Sequence, residues 1–428
     1  MDANAMLPRS KRPRLEEEEE SHPQKPQPPP PGEAAGAGKE EEDDAATGPG
    51  PPDLISRLPD DVLGDELELR YSESAIAAAR TKQAPLSVLR FSRTLRVLTV
   101  YFRKKHGLGL ELELAMDAAA YGTLVFPHLE HLTLHGVTIS ESTVHGVLSR
   151  CIALQSLVLQ RNAGYRRLEI ISPTLRSLGV SNGYYNGQDG KLEQVTVEDA
   201  PLLERFIPDG LVYDGQQIRV VHAPKLKMLG YICDSISQFK FGMWVIKKME
   251  PASLPNAMRN VKILALDVAP NNLMDVVVDF LACFPCVEKL YMALSHWKVM
   301  NVGAKCNNVC RRVSLECLDE HLKMLELKSY RGNVLEVNFI RFILSNARVL
   351  ESLRVLAARH KCGPKWISGQ HKKLRLSARA SRHARLCFEP EPDHGPSSCV
   401  PIKHIHDLAR NDPYDVSSCT CLNDNLGR

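Results

Sequence analysis

One short template recurs along this chain and constrains its fold more than any other feature. From about residue 93 it reads Pro-x-Leu-x-x-Leu-x-Leu, with loose positions. Clear copies are "FPHLEHLTL" (Phe126–Leu134), "SPTLRSLGV" (Ser172–Val180), "APKLKMLGY" (Ala223–Tyr231) and "FPCVEKLYM" (Phe284–Met292). "APLLERFIP" (Ala200–Pro208) keeps Pro201, Leu203 and Phe206 but loses the last apolar position. "RTLRVLTV", "IALQSLVL", "NVKILAL", "HLKMLEL" and "VLESLRV" lack the proline. The leading apolar residue falls at Leu95, Leu129, Leu154, Leu175, Leu203, Leu226, Val261, Val287, Leu322 and Leu350. Successive gaps are 34, 25, 21, 28, 23, 35, 26, 35 and 28 residues. Most fit the period of roughly 20–29 residues typical of a leucine-rich repeat, and the longer ones leave room for insertions.

The template has a physical reason. Alternate residues of Leu-x-Leu point to one face of a short strand. One such unit cannot bury its apolar face alone, whereas stacked units share a continuous core. Helical spacing lies between strands: Val144, Val147, Leu148 and Cys151 in "ESTVHGVLSRC", and Phe339, Phe342 and Ile343 in "NFIRFILSNA". Strand alternating with helix gives an α/β fold, a leucine-rich-repeat solenoid with a curved parallel sheet plus helices. A generic α/β domain is the alternative.

The chain has 428 residues, 43 % of them apolar, enough to bury a large core. Its net charge of +3 is unevenly spread: residues 1–52 carry 12 acidic and 6 basic side chains, so the remainder carries +9. Residues 1–52 are rich in Pro, Glu, Ala and Gly, a composition that buries too little apolar surface to order, and are expected to be a disordered tail. Within them "SKRPRL" offers Lys11, Arg12 and Arg14 as a nuclear-import candidate, or simply as a solvated charge run. No apolar run reaches 18 residues, so no membrane span is expected. The N-terminus lacks the apolar core of a signal peptide. The expected location is therefore nucleus or cytoplasm, with the 12 cysteines mainly reduced.

Sites of chemistry are sparse. Cys283 and Cys286 of "CFPC", with Cys306 and Cys310 of "CNNVC", could form a four-thiolate zinc site. Cys286 sits in a variable template slot and Cys283 ends the apolar run "VVVDFLAC", so buried apolar thiols are the plainer expectation. Residues 357–388 hold nine Lys/Arg and no Asp/Glu, with Trp366 among them. They suit either a nucleic-acid strand, an acidic partner, or a basic cap whose last strand contains Leu374 and Leu376, and the cap is preferred. "GLGLELEL" (Gly107, Gly109) lacks the Lys-Ser/Thr of a phosphate loop. His404 and His406 of "HIHDL" have no nucleophile at a useful spacing. No catalytic residue, metal or cofactor is expected.

"DLISRLPDDVLGDELELRY" (Asp53–Tyr71) joins two patterns with no turn signal between them. Pro59, Asp60 and Asp61 suit a helix start. "DELELRY" alternates like a strand, but the leading residue of its template would be Gly64.

Leu315–Leu356 resembles the FBD region of plant F-box proteins, in Cys317–Leu318, the following His-Leu-Lys, "YRGN" (Tyr330–Asn333), an amphipathic helix and "NARVLE" (Asn346–Glu351). "WISGQHKKLRLSARASRHARLCF" is similar to the family's ending, and "FSRTLRVLTV", "FPHLEHLTLHGVTIS" and "FPCVEKLYM" to its leucine-rich part. "DLISRLPDDVL" resembles the opening of an F-box. The resemblance places Leu54, Leu58, Pro59, Val62 and Leu63 where apolar contacts with a Skp subunit begin. It implies a non-catalytic substrate-recognition subunit of a Skp–cullin–F-box ubiquitin ligase, with the solenoid holding the target protein. The sequence departs from the family at Gly64, where the pattern stops. A three-helix F-box needs roughly 40 residues or more, near the lower size of a self-supporting domain. A protein-interaction scaffold that cannot recruit Skp is therefore the alternative. The expected organisation is a tail at 1–52, a truncated F-box at 53–64, leucine-rich repeats at 65–314, the FBD region at 315–356, and a basic cap and tail at 357–428.

Overall fold

The computed structural model describes residues 66–72, 93–103, 112–113, 125–182, 192–209, 216–233, 238–241, 244–247, 258–271, 273–295, 315–391, 400–417 and 419. The import candidates Lys11, Arg12 and Arg14 and the F-box positions Leu54, Leu58, Pro59, Val62 and Leu63 lie outside these residues, as do Cys306 and Cys310.

The described elements alternate between strands and returns. β1 (Glu66–Ser72), β2 (Val97–Arg103), β3 (Leu112–Glu113), β4 (His131–His135) and β5 (Val137–Thr138) precede helix α1 (Glu141–Leu148). A run of strands follows: β6 (Ser156–Asn162), β7 (Arg167–Ile171), β8 (Ser177–Asn182), β9 (Gln194–Asp199) and β10 (Arg205–Asp209). It continues with β11 (Gln217–His222), β12 (Met228–Cys233), β13 (Gln238–Phe241) and β14 (Trp244–Lys247). Then come β15 (Ile263–Val268), α2 (Leu273–Cys283), β16 (Lys289–Leu294), β17 (Met324–Tyr330), α3 (Val334–Asn346) and β18 (Ser352–Ala357). The last elements are α4 (Pro364–Leu374), β19 (Arg385–Pro390) and α5 (Ile402–His406).

Twelve strands form one parallel sheet in the order β1-β2-β4-β6-β8-β10-β12-β15-β16-β17-β18-β19. All ten leading template residues are buried, and a sheet strand begins two residues after each of them. The second residue of each sheet strand pairs in register from unit to unit, as in Leu67–Leu98–Leu132–Leu157–Leu178. The row continues through Phe206, Leu229, Leu264, Leu290, Leu325 and Leu353. This unbroken apolar row is the spine of the solenoid core. "DELELRY" does provide a sheet strand: β1 begins at Glu66, two residues after Gly64, and pairs with β2.

Two expectations change. Between β6 and β12 the returns are strands, not helices, and a second sheet runs β14-β13-β11-β9-β7. Their sequences explain it. "RLEII", "QVTVE" and "QIRVV" bury Leu168 and Ile170, Val195 and Val197, Ile218 and Val220, which is a period of two. The last sheet strand is not at Leu374 and Leu376. Leu374 ends α4, Arg375 adopts a left-handed conformation (φ 51°) that stops it, and "RLCFEP" forms β19 instead.

The motif at Tyr330–Asn333 is structural. Gly332 turns the chain at φ 77°, and Asn333 caps α3 by accepting from the Glu336 N–H at 3.0 Å. The buried Glu336 carboxylate accepts from the Arg331 and Gly332 N–H groups at 2.8 and 2.7 Å. It also accepts from Asn333 Nδ2 at 2.6 Å. Tyr330 donates its hydroxyl to Gln370 of α4 at 3.0 Å, tying the turn to the cap. Among the described residues no helix is long and apolar enough to cross a membrane.

Candidate functional site

On each sheet strand, the side chains between the core positions face the other way. They form the concave face of the solenoid. Neighbouring strands align these positions in rows, so that Ser156, Ser177, Arg205, Met228, Ile263 and Lys289 lie side by side. The next row runs through Val158, Gly179 and Ile207 to Ala265, Tyr291 and Glu326. Between Leu229 and Ile232 the pairing of β12 slips, and the extra residue brings the buried Tyr231 into this face. Gly230 makes the slip feasible. Its φ is +118°, and a Cβ there would lie 1.9 Å from the Ala265 carbonyl oxygen.

The chain's own segment 400–417 lies across this face. α5 rests on β6 and β8, where Gly179 leaves a seat for Ile405; a Cβ on Gly179 would meet the Ile405 Cδ1 at 2.9 Å. Ser177 donates its hydroxyl to the Ile405 carbonyl at 2.7 Å. The His406 ring stacks on His131, with centroids 5.1 Å apart, and its two nitrogens meet Thr133 Oγ1 at 2.6 Å and Ser156 Oγ at 2.7 Å. Burial, with a smaller push from His131, takes the His406 pKa down to about 3, so the ring is neutral near pH 7.

Farther along, buried Arg205 donates to four backbone carbonyls of the segment. They belong to His404 (3.3 Å), Asp407 (2.7 Å), Leu408 (3.1 Å) and Arg410. Asp412 accepts from Lys289 Nζ at 2.6 Å and from the Tyr291 hydroxyl at 2.9 Å. The fully buried Tyr414 donates its hydroxyl to the Gly230 carbonyl. Its ring meets Tyr231 edge-on at 5.5 Å and Tyr291 at a tilt at 5.2 Å. Burial, then the Asp412 charge, raises the Tyr291 pKa, so its phenol remains a donor. Inside the segment, His404 Nδ1 donates to the Pro413 carbonyl at 2.9 Å and shapes the turn between α5 and Tyr414.

Beyond Tyr231 the face becomes charged. Lys328 donates to the Tyr231 hydroxyl at 3.1 Å, and Arg354 bridges Glu326 (2.7 Å) and Glu389 (2.9 Å). Burial raises the Glu326 pKa against the opposing pull of Lys328 and Arg354.

Comparison with known proteins decides the family. Residues 63–292 match the family described as FBD-associated F-box protein At5g56370, LRR repeats, and residues 312–355 match the FBD family. The first match alone spans more than half of the chain. The chain belongs to the FBD-associated F-box, leucine-rich-repeat family. A relative from Arabidopsis thaliana, the FBD-associated F-box protein At5g56560, is 25 % identical over 288 residues. The aligned part covers 60 % of this chain and 63 % of the relative, so the chain spans less than two thirds of that relative's length.

In this family member the remaining candidate sites resolve into structure. Cys283 is buried in the core, where desolvation pushes its thiol up to about 12, the opposite of what a zinc thiolate needs. Cys286 faces away from it, beside Glu316 and His321, close enough for the three to share a cation. The Arg259 guanidinium already holds that position, donating to Glu316 at 2.7 to 3.0 Å and to the Cys286 sulfur at 3.6 Å. Trp366 packs edge-on against Tyr330 and Phe388, at 6.0 and 5.7 Å, and so serves the cap of the FBD solenoid. His406 does meet hydroxyls, contrary to what its sequence neighbours suggest, because the fold brings Thr133 and Ser156 to it. A base of pKa about 3 is poorly matched to proton abstraction near neutrality, and its second nitrogen faces another hydroxyl, not a carboxylate. The occupied concave face was not legible in the sequence. The only hint was an apolar and aromatic spacing (Ile402, Ile405, Tyr414) at the end of a polar stretch.

Proposed function

We propose that this chain is the target-recognition subunit of a Skp–cullin–F-box ubiquitin ligase. The observation that carries this reading is membership of the FBD-associated F-box, leucine-rich-repeat family through both its solenoid and its FBD region. The parallel sheet supports it by presenting rows of side chains that are not used by the core. The role is that of a non-catalytic adaptor: holding a target raises its local concentration at the ligase's catalytic subunits. In this reading Leu54, Leu58, Pro59, Val62 and Leu63 contact the Skp subunit, and Lys11, Arg12 and Arg14 carry the protein into the nucleus.

One observation favours a second reading, a scaffold that binds targets without delivering them. β1 begins at Glu66, so the F-box-like stretch Asp53–Leu63 passes almost directly into the solenoid, with only Gly64 and Asp65 between. Pull-down with a purified Skp subunit separates the two. Specific capture that is lost on replacing Leu58 and Leu63 with Asp supports the ligase subunit. Absence of capture, with target binding retained, supports the scaffold. Import is tested by replacing Lys11, Arg12 and Arg14 with Ala in a fluorescent fusion, which should leave the protein in the cytoplasm.

A further inference from the structure

We propose that the slot formed by Gly230, Tyr231, Lys289 and Tyr291 is the recognition pocket of the concave face, that it takes target segments with a carboxylate two residues before an aromatic ring, and that segment 400–417 is a displaceable occupant of it. This proposal rests on the target-binding reading above and names the chemistry of the target.

Three features make the segment resemble a docked ligand rather than a part of the solenoid. It adds no strand to the sheet. Its apolar side chains Val400, Ile405 and Tyr414 form a cluster with concave residues such as Val158, Tyr231 and Tyr291, separate from the solenoid core. That cluster is distinct from the row of apolar residues that forms the solenoid core. The rest of the contact is mainly polar, made by concave-face side chains together with the Gly230 carbonyl.

The division of labour within the contact points to peptide recognition. Arg205 grips four backbone carbonyls, which any chain can offer. Selection therefore falls to the slot. There a cationic Lys289 and the Tyr291 hydroxyl take a carboxylate, while Tyr231, Tyr291 and the Gly230 carbonyl take an aromatic hydroxyl residue. In the resident segment these are Asp412 and Tyr414, with Pro413 between them in a turn that the Tyr414 N–H closes by donating to the Asp412 carboxylate at 3.2 Å. Without the segment, Lys289, the Tyr291 hydroxyl, the Gly230 carbonyl and Arg205 lose these partners. A target carrying the acidic–x–aromatic pattern supplies the same ones.

Gly179 provides a test on the full chain. Its place on the open face is filled by Ile405, so Gly179→Leu blocks the seat of α5 while leaving the slot intact. A fluorescent peptide of residues 410–416 should bind the Gly179→Leu chain at least tenfold more tightly than the unmodified chain, and the same peptide with Tyr414→Ala should lose that binding. In the unmodified chain, hydrogen exchange at amides of 402–415 should be at least 100-fold faster than in β8 and β12. The proposal is overturned if the peptide fails to bind a Gly179→Leu chain whose circular dichroism is that of the unmodified protein. Should that variant not fold, segment amides protected as long as those of β8 overturn it. None of these readouts involves Skp. A chain that captures the peptide but not Skp keeps the pocket and loses only the ligase reading.

Discussion

The Asp412 carboxylate lies 2.6 Å from the Lys289 ammonium, a residue 123 positions earlier in the chain. The carboxylate is 8 % exposed and the ammonium 40 %. A pair of this kind is worth more than a surface ion pair but less than a fully buried one, because water still screens the lysine.

Replacing Lys289 with Met removes the charge and keeps the aliphatic stem. Asp412 then retains the Tyr291 hydroxyl and the Tyr414 N–H. Segment docking should weaken by about 1–2 kcal/mol, roughly a tenfold rise in opening. Limited proteolysis within residues 400–417 would report it. The midpoint of urea unfolding for the sheet should move little, since Lys289 lies outside the core.

Acidification should release the same segment. His406 is held near a pKa of about 3 in the docked state and returns towards 6.5 when freed. The groups facing it are His131, itself lowered mainly by burial, and the Thr133 and Ser156 hydroxyls, with Glu66 and Glu130 acting on His131. Above pH 6.5 both states are neutral, and docking is at full strength. Between 6.5 and about 3 the free segment binds a proton that the docked one refuses, so docking weakens as pH falls. At pH 5 the loss is about 2 kcal/mol, or roughly 30-fold in opening. Hydrogen exchange corrected for its chemical pH dependence measures this, and His406→Gln should flatten most of the difference between pH 7.5 and pH 5.

Gly230→Ala should be among the most damaging small substitutions on the concave face. A φ of +118° is costly for any residue with a Cβ, and that atom would fall 1.9 Å from the Ala265 carbonyl oxygen. The conformational term alone is about 1–3 kcal/mol. The clash adds to it, and the backbone shift it forces would also move the acceptor of the Tyr414 hydroxyl. A lowered thermal midpoint together with faster segment proteolysis is the expected pair of results. A variant with the unmodified midpoint would contradict this account of the β12 slip.

Glu336→Ala addresses the FBD turn. It strands the Arg331 and Gly332 N–H groups, which the carboxylate now satisfies at 2.8 and 2.7 Å. Each buried unsatisfied donor costs about 1–3 kcal/mol, so a total of about 2–4 kcal/mol is expected from urea unfolding. Asn333→Ala removes the cap and one of three donors to the Glu336 carboxylate, leaves the Arg331 and Gly332 N–H groups paired, and should cost less, about 1–2 kcal/mol. The ranking of the two variants is the test.

The solenoid was legible because its signal is local. Each leading residue, from Leu95 to Leu350, announces a strand two positions later, and the pattern needs no knowledge of distant residues. The helical returns α1 and α3 were equally visible from their spacing. The strands β7, β9 and β11 carried a period-two signal of the same quality, but short apolar runs are ambiguous between strand and helix until a neighbouring strand is there to pair with. β19 escaped for a similar reason. "RLCFEP" alternates only weakly, and pairing with β18 makes it a strand.

The concave face is a different matter. By itself the sequence determined which side chains enter the core, because alternation along a strand divides two faces without reference to anything else. It could not say what lies on the other face. That depends on contacts such as His406 with Thr133, 273 residues apart, and Tyr414 with Gly230, 184 apart. Each is a single polar or aromatic meeting with no periodic trace in the chain. Only the stacking of the repeats, which brings the last segment back across β6 to β16, decided that this protein covers its own recognition face.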